Sequence, residues 1–282
     1  MPELPEVETI ARGVHERLQG DRIVEAWFGS HTEPFKTPPA AQASGLEGRR
    51  ILAVHRTGKH IVCELGAAGG QSDGHSDAAP TAQWIVHLGM TGRLLVTTPE
   101  GPVAAHTHAR LTMASGREVR FVDPRRFGRL ELRELDRQSP FEGPGSEPLT
   151  ISLTAFIELF RGRRLAIKAA LLNQTLLHGV GNIYADESLF RAGIRPRRMA
   201  GRLKRAELER LHAALQHVLL QAIELGGSSV SDYVDADGVR GFFQLEHRVY
   251  MRTGQPCLQC GSPIRRILLA GRGTHYCTVC QR

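Results

Sequence analysis

"CLQCGSPIRRILLAGRGTHYCTVC", residues 257–280, holds four of the chain's five cysteines. Cys257, Cys260, Cys277 and Cys280 follow the spacing C-x2-C-x16-C-x2-C, which suits a tetrahedral zinc site with four thiolate ligands. Each C-x2-C pair turns two thiolates toward one ion, and the residues between the pairs form a hairpin. Two disulfides or a redox pair are the alternatives, and the lack of a secretory signal weighs against structural disulfides. A closed four-thiolate shell has no open position, so the expected Zn2+ is structural rather than catalytic. Arg272 stands between two glycines near the hairpin tip, either presented to a phosphate or simply solvated. Cys63, in "HIVCEL", is expected in the core.

Working back from the hairpin, the pattern is helical. "SLTAFIELF", "LAIKAALLN" and "GNIYADESLFRAG" predict short helices. The longest is expected over 205–225, with Leu208, Leu211, Leu215, Val218, Leu219 and Ala222 on one face, ending at Gly226-Gly227. The stretch "DRQSPFEGPGSEPLT", residues 136–150, is rich in Pro, Gly and Ser and predicts a linker. Before it, eight short β-like runs between about 22 and 135 predict a sandwich or barrel. Between two of them, "GAAGGQSDGHSDAAPTA" predicts a mobile hairpin insertion without chemistry. A helix is expected over 5–18, where Val7, Ile10, Ala11, Val14 and Leu18 recur at helical spacing. The expected fold class is α+β and multidomain: 1–135 a sandwich or barrel preceded by a helix, 136–150 the linker, 151–245 a helical domain, and 246–282 the four-cysteine hairpin.

Composition narrows the function. The formal net charge is +7, and basic residues concentrate in "RGRRLAIK", "RPRRMAGRLKR" and "SPIRRILLAGRGTH", which favours a face that binds a polyanion backbone over charge for solubility alone. No apolar run reaches the roughly 18 residues of a membrane span. The terminus lacks a basic region followed by an apolar stretch, so a cytoplasmic, nucleoid-associated location is expected.

The opening "MPELPEVETI" poses a chemical question. Removal of Met1 exposes Pro2 as a secondary amine, and a free α-amine with a pKa near 8 is partly neutral and nucleophilic at pH 7. Attack by a secondary amine on a carbonyl-equivalent carbon gives an iminium with no N–H to lose, which stays cationic and serves as an electron sink. Glu3 beside it is placed to shuttle protons. Pro and Glu also favour helix first turns, so a plain helix start explains the same residues.

The whole set of motifs tips the balance. "MPELPEVET", "RTGKH", "HLGMTGRL", "DPRRFG", "LLNQTLLHGVGNIYADESLFRAGIRP", "DYVDADGVRGFFQ" and the four-cysteine unit, in that order, resemble bacterial formamidopyrimidine-DNA glycosylases over nearly the entire chain. The resemblance implies a β-sandwich domain, a helix–two-turn–helix domain and a zinc hairpin, with DNA that contains oxidised bases as partner and a single chain as the working form. It implies a bifunctional glycosylase and AP lyase of base excision repair, excising 8-oxoguanine and formamidopyrimidines and then cleaving the strand by β,δ-elimination.

By the same resemblance, Pro2 attacks C1′ and Glu3 protonates the sugar ring oxygen. Lys59 binds phosphate and aids β-elimination, and Arg272 binds phosphate and aids δ-elimination. A base must leave the duplex before such chemistry reaches C1′. Met90 and Phe127 fill the gap while Arg125 bonds the orphaned cytosine. Taken alone, Lys59 is an ordinary strand lysine and Met90 and Phe127 are strand core. Asn182, at a turn that meets a helix start, is the expected backbone contact; Lys168, Arg163 and, last, His106 are weaker candidates, each equally a solvated surface charge. Residues 228–240 are expected to form a loop over the extruded base, mobile without DNA. Lys204 stands where relatives often have a capping serine, which weakens one helix start. The competing assignments are an endonuclease VIII-like enzyme for oxidised pyrimidines, disfavoured by Leu4, and a non-catalytic zinc protein that binds nucleic acid.

Overall fold

The structure, a computed structural model, describes residues 2–31, 33–69, 79–229 and 233–282. Contacts divide the chain into two units, one of Met1–Glu142 with Gly226–Gly241 and one of Gly143–Leu225 with Phe242–Arg282.

In the first unit the helix α1 (Leu4–Leu18) precedes β1 (Ile23–Phe28), α2 (Pro39–Leu46) and seven further strands. These are β2 (Ile51–Thr57), β3 (His60–Leu65), β4 (Ala82–His87), β5 (Arg93–Thr97), β6 (Thr107–Met113), β7 (Glu118–Val122) and β8 (Arg129–Glu134). Among the described residues they form two four-stranded antiparallel sheets, β1-β6-β7-β5 and β2-β3-β4-β8. Each of the eight β-like runs is a strand, and the sheets share a core with α1. Val7, Ile10, Ala11, Val14 and Leu18 meet Ile61, Cys63, Trp84, Val86 and Phe121 there. Every fully buried aliphatic chain in such a core contributes roughly 1.5–3 kcal/mol.

The helix α2 is absent from the sequence reading. It is Ala-rich and buries only Gln42 and Leu46, so it shows no apolar stripe. Gln42 orients it from within, donating to the Thr37 carbonyl and accepting from Trp84 Nε1 at 3.2 Å.

In the second unit α3 (Leu153–Phe160), α4 (Ile167–Leu171), α5 (Asn182–Ala192) and α6 (Arg205–Glu224) are followed by the hairpin β9 (Arg265–Leu269) and β10 (Arg272–Tyr276). Leu208, Leu211, Leu215, Val218 and Leu219 form the buried face of α6. Lys204 brings no side-chain acceptor to its start. The Lys204 N–H instead donates to the Glu207 carboxylate at 2.8 Å, so half of a capping box survives. The hairpin turns at Ala270 and Gly271, both with positive φ (49° and 71°), the conformation of a tight two-residue turn. Among the described residues no helix is long and apolar enough to cross a membrane.

The 66–82 insertion links β3 to β4, and its residues 70–78 lie outside the described residues, as do Met1 and residues 230–232 of the 228–240 loop. In the rest of that loop two residues pack inward. Tyr233 and Ala236 are buried in the sandwich core, and the Val96 N–H donates to the Ala236 carbonyl at 2.9 Å. Their apolar surface gives the segment a seat that the polar, glycine-rich composition hides.

Candidate functional site

In the first unit Pro2 and Glu3 stand at the start of α1. Pro2 is buried, and Glu3, the residue that caps the helix, is 4% exposed. Glu6 Oε2 accepts the Glu3 N–H at 2.8 Å, and the Glu3 carboxylate accepts in return from the Glu6 N–H. Negative charge here meets the positive end of the helix dipole. Glu6 Oε1 also accepts the Ser228 N–H at 2.7 Å. Burial, with the Glu6 carboxylate nearby, pushes the Tyr233 phenol well above its ordinary pKa.

Lys59 sits, half-buried, in the two-residue turn between β2 and β3, where Gly58 takes φ +61°. Arg56 fixes that turn to α1, since its Nε meets Glu8 at 2.9 Å and its Nη1 donates to the Gly58 carbonyl at 3.2 Å. The hairpin that carries Lys59 is thus tied to the helix that carries Glu3. His60 and His87 pair across β3 and β4, with ring centroids 4.8 Å apart, and they border a cavity of about 120 Å³ with Lys36, Arg129, Glu131 and Phe141. Burial first, then neighbouring positive charge, pushes both imidazoles down to about 4.

Met90, Arg125 and Phe127 stand on two loops that leave the sheets, and all three are exposed. Met90 follows Gly89, whose φ is +62° and whose absent Cβ would lie 2.5 Å from the Phe127 carbonyl carbon. Only glycine permits the loops to approach so closely. The Arg125 guanidinium lies 4.6 Å from the Phe127 ring centroid, a cation–π contact. Asp123, fully buried, binds both loops. It accepts from Thr91 Oγ1 at 2.6 Å, the Arg125 N–H at 3.2 Å and the Gly128 N–H at 2.8 Å. His106 is exposed at φ +64°, and its carbonyl accepts the Asp123 N–H at 3.0 Å.

In the second unit Cys257, Cys260, Cys277 and Cys280 bring their sulfurs within 4.8 Å of one another. Pairs lie 3.9 Å (Cys257–Cys280) and 3.4 Å (Cys260–Cys277) apart, far beyond a disulfide. Tetrahedral thiolates at 2.3 Å from zinc stand about 3.8 Å from one another, so the set fits one structural zinc ion. Phe190, Val249 and Ile264 pack around Cys257 and Cys277.

Arg272 opens β10 and is exposed. The next carbonyl, that of Gly273, accepts from Asn182 Nδ2 at 3.0 Å and Lys168 Nζ at 3.1 Å. Asn182 is the first residue of α5, so the helix N-terminus and the arginine of the hairpin are held side by side. Arg163 is exposed in the turn after α3. Lys168 requires correction as a surface contact, because its side chain is fully buried against Asp186, 2.7 Å away, and Thr274 Oγ1, 2.8 Å away. Its partners come from α5 and β10 and are distant in sequence.

The sequence reading missed Glu6, Asp123 and Asp186. Glu6 and Asp123 lie inside quoted motifs, at helix position N3 and at the head of "DPRRFG", where an acidic residue beside turn breakers signals a loop organiser. Asp186, in "GNIYADESLF", carries no local signal.

Known families match three successive regions of the chain. Residues 1–130 match the formamidopyrimidine-DNA glycosylase N-terminal domain, 143–234 the formamidopyrimidine-DNA glycosylase H2TH domain, and 254–282 the zinc finger found in FPG and IleRS. The chain is 45% identical over 283 residues to the formamidopyrimidine-DNA glycosylase of Solibacter usitatus, with both chains covered in full. It is 44% identical to the Gluconobacter oxydans enzyme, again over the full length of both. Among solved structures it is similar to the Thermus thermophilus FPG protein, with a TM-score of 0.83 and 40% identity over 99% of this chain and 98% of that one. It is also similar to the Lactococcus lactis enzyme in complex with abasic-site DNA, with a TM-score of 0.87 and 34% identity over 99% of each chain. The sandwich, the helical domain and the four-thiolate hairpin, matched in order along the whole length, show that the chain belongs to the formamidopyrimidine-DNA glycosylase family.

Proposed function

We propose that this DNA glycosylase of base excision repair excises oxidised purines, 8-oxoguanine and formamidopyrimidines, from duplex DNA through Pro2. With Met1 removed, the Pro2 nitrogen attacks C1′ of the extruded nucleotide. The C1′–base bond breaks, Glu3 delivers a proton to the ring oxygen as the sugar opens, and an iminium links enzyme and sugar. The cationic nitrogen acidifies the C2′ protons. β-Elimination then expels the 3′ phosphate, with Lys59 stabilising the phosphate charge, and δ-elimination expels the 5′ phosphate with Arg272 in that role.

The burial of Pro2 and Glu3 at the positive end of α1, in a chain of this family, carries the reading. A helix N-terminus lowers the pKa of an amine placed there, and the neighbouring carboxylates raise it. Met90 and Phe127 fill the vacated stack and Arg125 bonds the orphaned cytosine. Asn182, Arg163 and His106 grip phosphates, while Lys168 supports the hairpin from inside. We assign 1–135 to catalysis, 136–150 to a linker, 151–245 to DNA binding and 246–282 to the zinc hairpin, in a cytoplasmic, nucleoid-associated enzyme that acts as a single chain.

Borohydride trapping on an 8-oxoguanine:cytosine duplex tests the reading. A covalent adduct whose attached peptide begins at Pro2, sharply weakened in Pro2→Gly, is expected. No adduct with any oxidised-base duplex, or active protein with Met1 retained, overturns it.

A further inference from the structure

We infer that Glu6 is a positioning residue that couples the root of the 226–241 segment to the catalytic terminus. The inference rests on the roles proposed for Pro2 and Glu3. One rigid carboxylate holds both ends. Its Oε2 accepts the Glu3 N–H at 2.8 Å, and its Oε1 accepts the Ser228 N–H at 2.7 Å. The Glu6 side chain is 2% exposed, so neither bond is exchanged freely for water. The two oxygens of a carboxylate keep a fixed separation, so a shift of Ser228 must stretch one bond or drag Glu3 along.

The segment packs closely on Glu6. A Cβ at Gly227 would stand 3.0 Å from Glu6 Cγ and 3.1 Å from Oε1, at a residue whose φ of +82° already selects glycine. The Tyr233 hydroxyl reaches the Glu6 carbonyl at 3.4 Å from the far side of the segment. The segment's own ends are clamped together, since the Gly241 N–H donates to Ser229 Oγ at 2.9 Å. A Cβ at Gly241 would lie 2.3 Å from the Gly226 and Gly227 carbonyl oxygens. What happens in this segment therefore reaches the residue next to the nucleophile through the Glu6 side chain.

A duplex with a preformed abasic site isolates the coupling, because it offers no base for a loop to cover. Single-turnover β-elimination on it reads only the state of the terminus. Gly227→Ala pushes on Glu6. Glu6→Gln keeps one acceptor but turns an NH2 toward the other N–H. Both are expected to slow the abasic reaction at least tenfold with DNA affinity unchanged, and the double variant to be no slower than the slower single. Thermal melting and zinc content identify a misfolded variant, in which case Tyr233→Phe replaces Gly227→Ala and is expected to slow the same reaction. Wild-type abasic rates in correctly folded Gly227→Ala, alongside impaired 8-oxoguanine excision, overturn the coupling, as do multiplicative effects in the double variant. Failure of the wild-type enzyme to form an adduct with the abasic duplex sinks the proposed chemistry instead, so the two failures are distinct.

Discussion

The Lys168 ammonium lies 2.7 Å from Asp186 Oδ1 with both side chains wholly withdrawn from solvent. The pair joins α4 to α5, and its hydrogen bonds to Gly273 and Thr274 reach the strand that begins with Arg272. Asp186 Oδ2 completes the link by accepting the His275 N–H at 2.8 Å. The arginine proposed to hold a phosphate thus rests on a charge pair beneath it.

Lys168→Met strands the Asp186 carboxylate without its counter-ion, which costs about 3–5 kcal/mol in buried pairs. Chemical denaturation is expected to show that loss, with part of it recovered in Lys168→Met/Asp186→Asn. A surface phosphate contact predicts instead an unchanged unfolding midpoint and a shallower salt dependence of DNA binding.

Asp123→Ala removes the shared acceptor of the two loops that carry Met90, Arg125 and Phe127. The freed Gly128 and Arg125 N–H groups and the Thr91 hydroxyl lose their common anchor, so the exposed side chains lose their fixed spacing. Excision of 8-oxoguanine opposite cytosine is expected to fall roughly 10–100-fold, the size of effect that misplaced site groups produce. Discrimination between cytosine and adenine opposite the lesion is expected to weaken. Equal losses with both opposite bases would show that Arg125 gains nothing from this anchor.

Thiol titration separates the cysteines. Burial pushes the Cys63 thiol up to about 12, so it stays unreactive in the native protein. A strong chelator is expected to release one zinc and expose the four clustered thiols. Cys63 should react only after global unfolding. Early modification of Cys63 would contradict its place in the sandwich core.

Acid is expected to destabilise the protein over a defined window. His60 and His87 are held neutral, at about 4 against an ordinary value of 6.5. The unfolded chain binds protons between those values and the native chain does not, so stability present above about 6.5 is lost as pH falls toward about 4. Each histidine contributes roughly 1–3 kcal/mol to the change. Lys36, Lys59 and Arg129 oppose protonation and Glu131 favours it. His60→Gln should flatten the slope of unfolding free energy against pH, and an unaltered slope would exclude the pair as its source.

Much of this protein is written locally. Short β-like runs bounded by Gly and Pro marked all eight strands of the sandwich, helical spacing marked α1 and α6, and the C-x2-C pairs marked the metal ligands, because each signal lies within one element or one turn. Short α2 escaped because alanines supply helix propensity without an apolar face, and its one polar anchor, Gln42, bonds residues from other elements. What only the tertiary structure decided concerns polar groups whose partners lie far along the chain. Lys168 changed from a surface charge to a buried one because Asp186 and Thr274 surround it. Glu6, a plain first-turn acid in the sequence, became the link between Glu3 and Ser228, 222 positions away from Glu6. Composition fixes which side chains carry charge, but burial and the partners supplied by folding fix what that charge does.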